Sequence, residues 1–277
     1  MYDIVCSLVI YKNAKKQLLD AINSFLFTEL NVKLVLIDNS PDNELKDIKI
    51  DKRIEYIFNP SNPGFGTSHN IAIKKYNKYT KYHLILNPDI YYETGVLEDI
   101  VKFMDKDKKI GLLMPKILYP DGSIQYLAKL IPSPIDFFVR RLLPNSTLKS
   151  KFISKFELRF SGYDQIMEVP YLSGCFMVFS SNALKELDGF DEGIFMHMED
   201  LDISRRCAIH GFKSIFYPYQ VVYHDHLFKS VINLTNLKIY LTSAIYYFNK
   251  WGWLIDKDRI ITNKKTLLKI KKKYNFI

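Results

Sequence analysis

The first ninety residues alternate short, unbroken apolar runs with segments of helical periodicity. The runs that read as strands cover 4–11, 32–37, 54–58 and 82–86. Strands that are apolar on both faces are typical of a parallel sheet covered by helices on each side. The order of runs and helical segments therefore predicts an α/β domain whose first half binds a nucleotide beyond the carboxyl ends of its strands.

The second half of the chain has a different pattern. Apolar runs near 111–118 and 169–179 flank a stretch from 120 to 168 that carries several prolines and basic residues. That stretch is either a loop-and-helix insertion over a site or a solvated excursion, and the sequence leaves both open. We expect further helices and short strands beyond it, at 181–187, 200–210, 215–217 and 221–223.

Composition excludes several classes of protein. A hydrophobic content of 48% with 25% charged residues indicates a globular chain rather than a disordered one. Cys6, Cys175 and Cys207 are scattered without a CxxC spacing, which argues against a disulfide framework or a zinc knuckle. No apolar run is long enough to span a membrane, and the first residues lack a basic signal-like segment. We expect a protein of the reducing cytoplasm.

The net charge of +9 is concentrated at the end of the sequence. No acid follows Asp258, and the rest of the chain is nearly neutral, which argues against a nucleic-acid binder with a basic folded surface. The bases beyond Asp258 are Arg259, Lys264, Lys265, Lys269, Lys271, Lys272 and Lys273. This distribution predicts that the tail contacts an anionic partner.

Helical spacing in the tail suggests what that partner is. Leu267, Ile270, Tyr274 and Ile277 recur at helical spacing with lysines between them, which is typical of a basic amphipathic helix lying on an anionic membrane. A solvated end of the chain is the alternative. The aromatic-rich segment 239–255, just upstream, is expected to pack against the folded domain.

Polar residues follow two of the predicted strands. Asp38 and Asn39 end the second run, and Asn87, Pro88 and Asp89 end the fourth. A carboxylate at such a position can accept from a base or a ribose hydroxyl, or can hold a divalent cation that bridges two phosphates. Turn capping without any ligand is the alternative for both groups.

Two further clusters gather ionisable side chains. The first runs from His197 through Glu199 and Asp200 to Asp202, where capping of a helix N-terminus accounts for one or two of the acids. The second is His224-Asp225-His226, where strand alternation places both histidines on one face. A metal or phosphate site is plausible there.

Taken together, these segments resemble the family 2 glycosyltransferases of the GT-A fold, and particularly their rhamnosyltransferase-like branch. The resemblance extends from about Asp3 to Trp253. The segments that carry it are SLVIYKN, LIDNSPD, NPSNPGFGTSHNIAI, LILNPDI, the stretch from YLSGCFMVF to CAIHGF, YHDH and AIYYFNKWGW.

The resemblance implies a fold and a domain plan. The fold is α/β, with a Rossmann-like nucleotide-binding half and a mixed central sheet, followed by an acceptor-binding half and C-terminal helices. The expected catalytic domain covers 1–230, divided into halves at about 110, and a helical basic segment covers 231–277.

The resemblance also implies roles for individual residues. Asp200 would be the catalytic base, with Glu199 orienting it or touching the acceptor. Asp89 and His224 would bind Mg²⁺ or Mn²⁺, although only the last acid of the family's DxD-type motif is present here. His197 and His226 would contact acceptor or phosphate. The nucleotide-binding set is Ile10, Tyr11, Asn13, Asp38, Asn39, Asn62, Gly64, Phe65, Asn70 and Asn87.

The implied activity is inverting transfer of a sugar from a nucleotide-sugar to a glycan or lipid-diphosphate-linked saccharide in bacterial surface polysaccharide synthesis. dTDP-rhamnose is the expected donor, and a UDP-hexose is the alternative. A non-catalytic nucleotide-sugar-binding protein is a further reading, because the DxD-type motif is incomplete. We expect a cytoplasmic protein with peripheral contact to the anionic inner face of the cell membrane, and no nucleic-acid partner.

Overall fold

The structure is a computed structural model that describes residues 1–142, 146–225 and 234–273. The strands are β1 (Tyr2–Ile10), β2 (Val32–Asp38), β3 (Ile54–Phe58), β4 (Thr80–Leu86), β5 (Ile90–Tyr91), β6 (Ile110–Leu118), β7 (Ala128–Lys129), β8 (Met167–Glu168), β9 (Tyr171–Leu172), β10 (Phe176–Ser180) and β11 (Lys213–His224). The helices are α1 (Lys15–Leu26), α2 (Phe65–Tyr76), α3 (Val96–Asp105), α4 (Pro134–Leu142), α5 (Thr147–Phe156), α6 (Ser181–Leu187), α7 (Glu199–Ile209), α8 (Leu234–Trp251) and α9 (Lys257–Lys273).

A mixed sheet forms the centre of the molecule. Its strands follow the order β3-β2-β1-β4-β10-β6-β11-β5, with β8 paired to β11. The first four are parallel, whereas β10 runs antiparallel to both of its neighbours. Alternate residues of β1 belong to two different hydrophobic clusters, so both faces of the sheet are buried. The α/β class and the mixed sheet are thus confirmed.

Strand register aligns the exits of the parallel strands. Ile10 pairs with Asp38, and Leu8 pairs with Leu86, the last residue of β4. The polar residues that follow β1, β2 and β4 therefore lie at one edge of the sheet, where α/β proteins bind ligands.

Several expected elements differ from the observed ones. The run 169–179 contains β9 and β10 rather than one strand, and 215–217 joins 221–223 within β11 across an irregular register between Tyr217 and Val221. Helix α3 was not expected, although its apolar side chains recur at helical spacing and pack in the core. In the second half of the chain, strands that are buried on both faces and a β-bulge do not produce the alternation of apolar and polar residues by which a strand is recognised in sequence.

The stretch from 120 to 168 packs against the domain rather than extending into solvent. The ring of its buried Tyr163 meets Phe216 of β11 with centroids 4.7 Å apart, and the ring of Phe137 stacks on Tyr240 with centroids 4.4 Å apart. Within it, β7 pairs with β9 in a small second sheet. Of the two readings left open by the sequence, this packing favours an insertion that contributes to the domain.

The C-terminal helices are fastened to α7. Arg205 and Asp256 form a buried, two-pronged ion pair with distances of 2.7 and 2.6 Å. Asp202 Oδ1 accepts from Trp251 Nε1 at 2.8 Å. Tyr247 and Phe248 are buried in the main core, as expected for the aromatic-rich segment. The expected domain boundary at 230 lies outside the described residues.

The orientation of α9 corrects the expectation for the tail. Ile270 is buried and Leu267 packs against the core, so the two described members of the predicted membrane-facing stripe point into the protein. Tyr274 and Ile277 lie outside the described residues. Arg259 is also buried, 3.8 Å from Asp256. None of the helices in the described ranges combines the length and apolar character of a membrane span.

Candidate functional site

Asp38 lies at the exit of β2 and is fully buried. Its Oδ1 accepts from the backbone N–H of Ser40 at 2.9 Å, and its Oδ2 accepts from the hydroxyl of Tyr56 at 2.6 Å. Burial and the neighbouring carboxylate raise the pKa of Tyr56. Asp38 therefore caps the turn after β2. Each of its carboxylate oxygens keeps a second lone pair, so this capping does not exclude a further hydrogen bond to a nucleotide.

Asn39 uses its side chain to hold neighbouring elements together. It donates to Ser68 at 2.7 Å and accepts from Asn59 at 2.8 Å, and it is almost completely buried. Ile10 is likewise buried in the core. Asn39 and Ile10 thus support this edge of the sheet from inside the protein. Any contact with a nucleotide there would come from neighbouring residues that are exposed.

Tyr11 is an exposed residue at this edge. It is 52% exposed, and its backbone N–H donates to Asn13 Oδ1 at 2.8 Å, which fixes the turn after β1. An exposed aromatic ring at a strand exit can stack on a nucleobase. The nucleotide-binding roles of Tyr11 and Asn13 stay predictions.

The glycine-rich segment before α2 touches the chain itself. Gly64 has a φ of +101°, and a Cβ atom there would lie 2.4 Å from the carbonyl oxygen of Phe195. Phe65 N–H donates to that same carbonyl at 2.9 Å, and Asn62 also has a positive φ. The close approach that Gly64 permits is therefore to the segment leading into α7, and its contact with a nucleotide stays a prediction.

Asn70 continues this connection. Its amide donates to the carbonyl of Phe190 at 2.9 Å and to Glu192 at 3.0 Å, and its Oδ1 accepts from the N–H of Phe190 at 2.9 Å. Every hydrogen-bonding atom of the Asn70 side chain is thus engaged by the turn before α7. Asn70 thus holds the turn before α7 against α2.

Asp89 and His224 face each other beyond β4 and β11. Asp89 Oδ1 lies 3.2 Å from His224 Nε2. His224 Nδ1 lies 2.9 Å from Gln125 Oε1, which fixes the orientation of the imidazole ring. Burial alone would lower the pKa of His224, but Asp89 and the thiol of Cys175 outweigh it and raise that pKa to about 10.

This pair fits a divalent cation that displaces the proton of His224, since metal binding releases protons from its ligands. Two ligands at about 2.1 Å on adjacent positions of an octahedral ion lie about 3 Å apart, close to the observed 3.2 Å. The described part of the chain contains no group of three or more His, Cys, Asp or Glu side chains suited to a metal. Mg²⁺ and Mn²⁺ are commonly held by few protein groups when phosphate oxygens and waters complete the shell.

Asp200 lies in the first turn of α7, where three donors hold it. Its Oδ2 accepts from Gly174 N–H at 3.0 Å and from the Tyr171 hydroxyl at 3.2 Å, and its Oδ1 accepts from Leu201 N–H at 2.8 Å. Burial raises the pKa of Asp200, and the ammonium of Lys129 opposes that shift. A fixed, buried carboxylate whose pKa is raised is suited to accept a proton.

Glu199 is buried beside Asp200. Burial and the charge of Asp200 raise the pKa of Glu199 to about 8. A proton shared by the two neighbouring carboxyls is therefore held preferentially by Glu199. This division of roles favours Asp200 as the base and Glu199 as a neutral neighbour.

His197, two residues before Glu199, has a strained backbone with a φ of +86°. Its ring meets the edge of Tyr240, with centroids 5.5 Å apart. A positive φ outside glycine is uncommon and clusters at functional sites. His226, the other expected acceptor contact, lies outside the described residues.

The residues Gly174 and Cys175 connect the acid pair to the expected metal pair. Gly174 N–H binds Asp200, and the carbonyl of Cys175 accepts from Asn87 N–H at 2.9 Å. The backbone carbonyl of Asp89 accepts from Asp225 N–H at 2.9 Å, which holds β11 beside the turn after β4. The structure thus brings Asn87, Asp89, His224 and Asp200 around one dipeptide.

Sequence patterns missed Lys129 and Tyr171. The β7–β9 pairing aligns them, Lys129 Nζ lies 5.2 Å from the centre of the Tyr171 ring, and the same Nζ lies 3.1 Å from Ser173 Oγ. Lys129 is only 7% exposed. An isolated lysine within an apolar run is the signal that could have identified it, because buried ammonium groups are rare without a partner.

Comparison with known proteins decides the family. The sequence model of the glycosyltransferase-like family 2 matches residues 5–240. The chain belongs to this family. It is a glycosyltransferase, as the sequence predicted, and the resemblance to the rhamnosyltransferase-like branch is confirmed by the relatives.

Two curated relatives carry rhamnosyltransferase names. The N-acetylglucosaminyl-diphospho-decaprenol L-rhamnosyltransferase of Mycobacterium tuberculosis is 25% identical over 211 residues, covering 72% of this chain and 68% of the relative. Rhamnosyltransferase WbbL of Escherichia coli K12 is 25% identical over 219 residues, covering 76% of this chain and 78% of the relative.

Solved structures confirm the GT-A fold of this family 2 chain. GalNAc-T7 with UDP, GalNAc and Mn²⁺ has a TM-score of 0.64 at 16% identity; the match covers 99% of this chain but only 54% of GalNAc-T7. Residues 1–349 of S. aureus TarS in complex with UDP have a TM-score of 0.60 at 15% identity, covering 98% of this chain and 72% of that one.

Proposed function

We propose that this protein transfers rhamnose from dTDP-rhamnose, with inversion, to a hydroxyl of a lipid-diphosphate-linked saccharide in bacterial surface polysaccharide synthesis. The observation that carries the proposal is the pair of contacts made by the dipeptide Gly174-Cys175. Gly174 binds Asp200, the proposed proton acceptor, and Cys175 binds Asn87, which directly follows β4. Because Gly174 and Cys175 are consecutive residues, the proposed base and the end of β4 are held next to each other, which supports a shared site for the acceptor hydroxyl and the leaving group.

The reaction is a single displacement. Asp200 accepts the proton of the acceptor hydroxyl as its oxygen forms a bond to the anomeric carbon. The bond from that carbon to the diphosphate oxygen breaks, and its electron pair leaves with the nucleoside diphosphate. Because the nucleophile enters opposite the leaving group, the product has the inverted anomeric configuration.

Asp89 and His224 are the residues that would hold a divalent cation. Such an ion, when bound, supplies positive charge to the diphosphate as negative charge develops on its leaving oxygen. Gln125 holds His224 with Nε2 directed at Asp89. Tyr11 and Asn13, at the exposed edge, would contact the nucleoside, and His197 would contact the acceptor.

The donor and acceptor are proposed from the relatives. Both relatives are named rhamnosyltransferases, and the name of the mycobacterial relative includes a diphospho-decaprenol-linked N-acetylglucosamine. An acceptor of that kind lies at a membrane. We therefore propose that this protein works in the cytoplasm, with peripheral contact to the anionic inner face of the cell membrane.

A donor screen tests the proposal. Purified protein is incubated with dTDP-rhamnose, UDP-glucose or UDP-N-acetylglucosamine and a short-chain lipid-diphosphate N-acetylglucosamine, with Mn²⁺ or with EDTA. We expect transfer from dTDP-rhamnose, dependent on Mn²⁺, with a product whose anomeric configuration by NMR is opposite to that of the donor. Transfer only from a UDP-hexose would favour the alternative donor class, and donor binding without turnover would favour a non-catalytic protein.

A further inference from the structure

A groove of about 690 Å³ lies between α9 and the end of α5 with the turn that follows it. Phe160, Ile260 and Leu268 contribute apolar surface to the groove, and Lys155, Lys264 and Lys271 contribute positive charge. Among the described residues, none of the side chains that line it is acidic. An apolar groove with only cationic groups at its border matches an amphiphile with a negative head.

Helix geometry explains why this surface is exposed. Arg259, Thr266 and Ile270 are buried, and they lie on one face of α9 at helical spacing. Ile260, Lys264, Leu268 and Lys271 recur at the same spacing on another face, and all four are exposed. The buried face of α9 is therefore separate from these four exposed residues, and Asn263 and Leu267 lie between the two faces and also line the groove.

The apolar residues of the outward face are numerous. Ile260 is 58% exposed, Ile261 50% and Leu268 59%. The connection between α8 and α9 adds Leu254 and Ile255, which are 86% and 80% exposed. Exposed apolar side chains grouped in this way mark interaction surfaces rather than ordinary solvated ones.

The charges indicate what covers the surface. Lys269 is paired with Glu168 at 2.9 Å, and Arg259 faces Asp256. Within the part of the chain that the structure describes, Lys155, Lys264 and Lys271 form no ion pair. Acids of the protein thus neutralise Lys269 and Arg259, whereas the groove lysines are available to an anionic partner.

We propose that the outward face of α9 and the α8–α9 connection dock on an anionic phospholipid bilayer. The apolar side chains enter the headgroup region, and the long lysine stems let the ammonium groups reach lipid phosphates. This inference rests on the proposed function only for its biological purpose, which is to bring the enzyme to a lipid-linked acceptor. The docking itself is a property of the described surface.

The anchoring of α9 connects this surface to the active site. Asn263 binds Ile131 through two hydrogen bonds, of 2.9 Å to its N–H and 2.8 Å to its carbonyl. Ile131 follows two residues after Lys129, which interacts with Asp200. Two residues of extended chain span at most about 7 Å. A bilayer bound to α9 is thereby held at a fixed position relative to the catalytic base.

Vesicle flotation tests the proposal with matched variants. The full chain is mixed with vesicles of phosphatidylglycerol and phosphatidylethanolamine, or of phosphatidylcholine alone. We expect wild-type protein to float only with the anionic vesicles. The triple variant Lys155→Gln, Lys264→Gln, Lys271→Gln should bind them on the order of 100-fold more weakly. The control Lys102→Gln, Lys106→Gln, Lys109→Gln removes three exposed lysines of the α3 region and should bind like wild type.

The apolar contribution is tested separately. Ile260→Ser with Leu268→Ser should weaken flotation at least about tenfold, since each removes an apolar side chain from the headgroup region. Phe27→Ser with Ile50→Ser, whose side chains are 72% and 60% exposed elsewhere, should leave it unchanged. Equal binding to neutral vesicles, no binding to either, or equal losses in the control variants would overturn the proposal.

Two further measurements separate docking from the other readings. Light scattering should give a monomer mass; a doubled mass that Ile260→Ser with Leu268→Ser converts to a monomer would assign the face to a second copy instead. Asp200→Asn should float like wild type while lacking transfer activity. Failure of the donor screen would thus contradict the proposed function and leave the docking result standing, and the converse also holds.

Discussion

The backbone N–H of Gly174 donates to Asp200 Oδ2 at 3.0 Å, while a Cβ atom on Gly174 would lie only 3.2 Å from Asp200 Cβ. A larger residue at 174 would push against the carboxylate that it holds. The glycine therefore both binds the proposed base and leaves space for it. Because Cys175 in turn binds Asn87, this contact couples the base to the exit of β4.

Replacing Lys129 with Met should move the pH profile of the enzyme. The groups that face Asp200 are Glu199 on α7, Lys129 on β7 and Tyr171 on β9. Lys129 favours the ionised form of Asp200, so its loss raises the pKa of Asp200, and more of the base is protonated at low pH. We expect the acid limb of kcat/KM to move up by about one pH unit.

Lys129→Arg is the matched control for that change. Arginine keeps the positive charge, so the acid limb should stay within about a third of a pH unit of wild type. A merely structural role for Lys129 predicts lower activity at every pH without movement of the limb. That result would contradict the electrostatic role.

Glu199→Gln should change how stability depends on pH. The unfolded carboxyl ionises above about pH 4.3, whereas folded Glu199 keeps its proton until a pKa of about 8. The unfolded state thus releases this proton first, and the free energy of unfolding falls as the pH rises through that window. Glutamine copies the neutral acid and avoids the loss.

Thermal unfolding measures this effect. The Tm of Glu199→Gln relative to wild type should increase by at least about 3 °C between about pH 5 and pH 8. Asp200→Asn serves as the neighbouring comparison because burial raises the pKa of Asp200 in the same direction. A difference between Glu199→Gln and wild type that does not vary with pH would show that Glu199 is not held protonated.

Gln125→Leu should weaken the use of metal. Gln125 Oε1 contacts His224 Nδ1, and loss of such an orienting contact commonly costs about 10- to 100-fold in metal affinity. The expected result is a corresponding rise in the Mn²⁺ concentration for half-maximal activity. Gln220→Leu, which removes an amide bonded to Asp99, is the control. Wild-type activity that is insensitive to EDTA would contradict the metal role.

Trp251→Phe should destabilise the fold through Asp202. The indole N–H donates to this fully buried carboxylate, and a hydrogen bond to a charged group contributes about 1.5–3 kcal/mol. We expect the free energy of unfolding, from urea titration, to fall by about that amount. Trp253→Phe removes the more exposed contact to Asn249 and should cost less than about 1 kcal/mol. Equal losses would show that Asp202 does not fasten α8 to α7.

The sequence predicted the first half of the fold well for a physical reason. β1, β2 and β4 are buried strands of a parallel sheet, and β3 is its half-buried edge strand, so their apolar runs are continuous and their exits carry polar residues. Asp38 and Asp89 could be identified because they lie at the ends of strands, and Asp200 because it lies at the start of a helix. Their placement in one site depended on register and topology.

Contacts between distant segments could not be predicted in the same way. Gly64 closely approaches Phe195, more than a hundred residues away in sequence, and no local pattern indicates that contact. The stripe containing Leu267 and Ile270 was expected to face a membrane, but these side chains meet the core, because helical periodicity identifies a face without identifying what it packs against. Lys129 reaches Asp200 only through the pairing of β7 with β9.

The central claim is that Asp200 is the base of an inverting sugar transfer, and one comparison tests it most directly. Single-turnover transfer by Asp200→Asn is measured beside calorimetric binding of the same donor. We predict that the transfer rate falls by about 100- to 10,000-fold, while the donor Kd stays within about twofold of wild type, because the amide keeps the shape of the carboxylate but cannot take the proton. Retention of wild-type turnover by this variant would contradict the account.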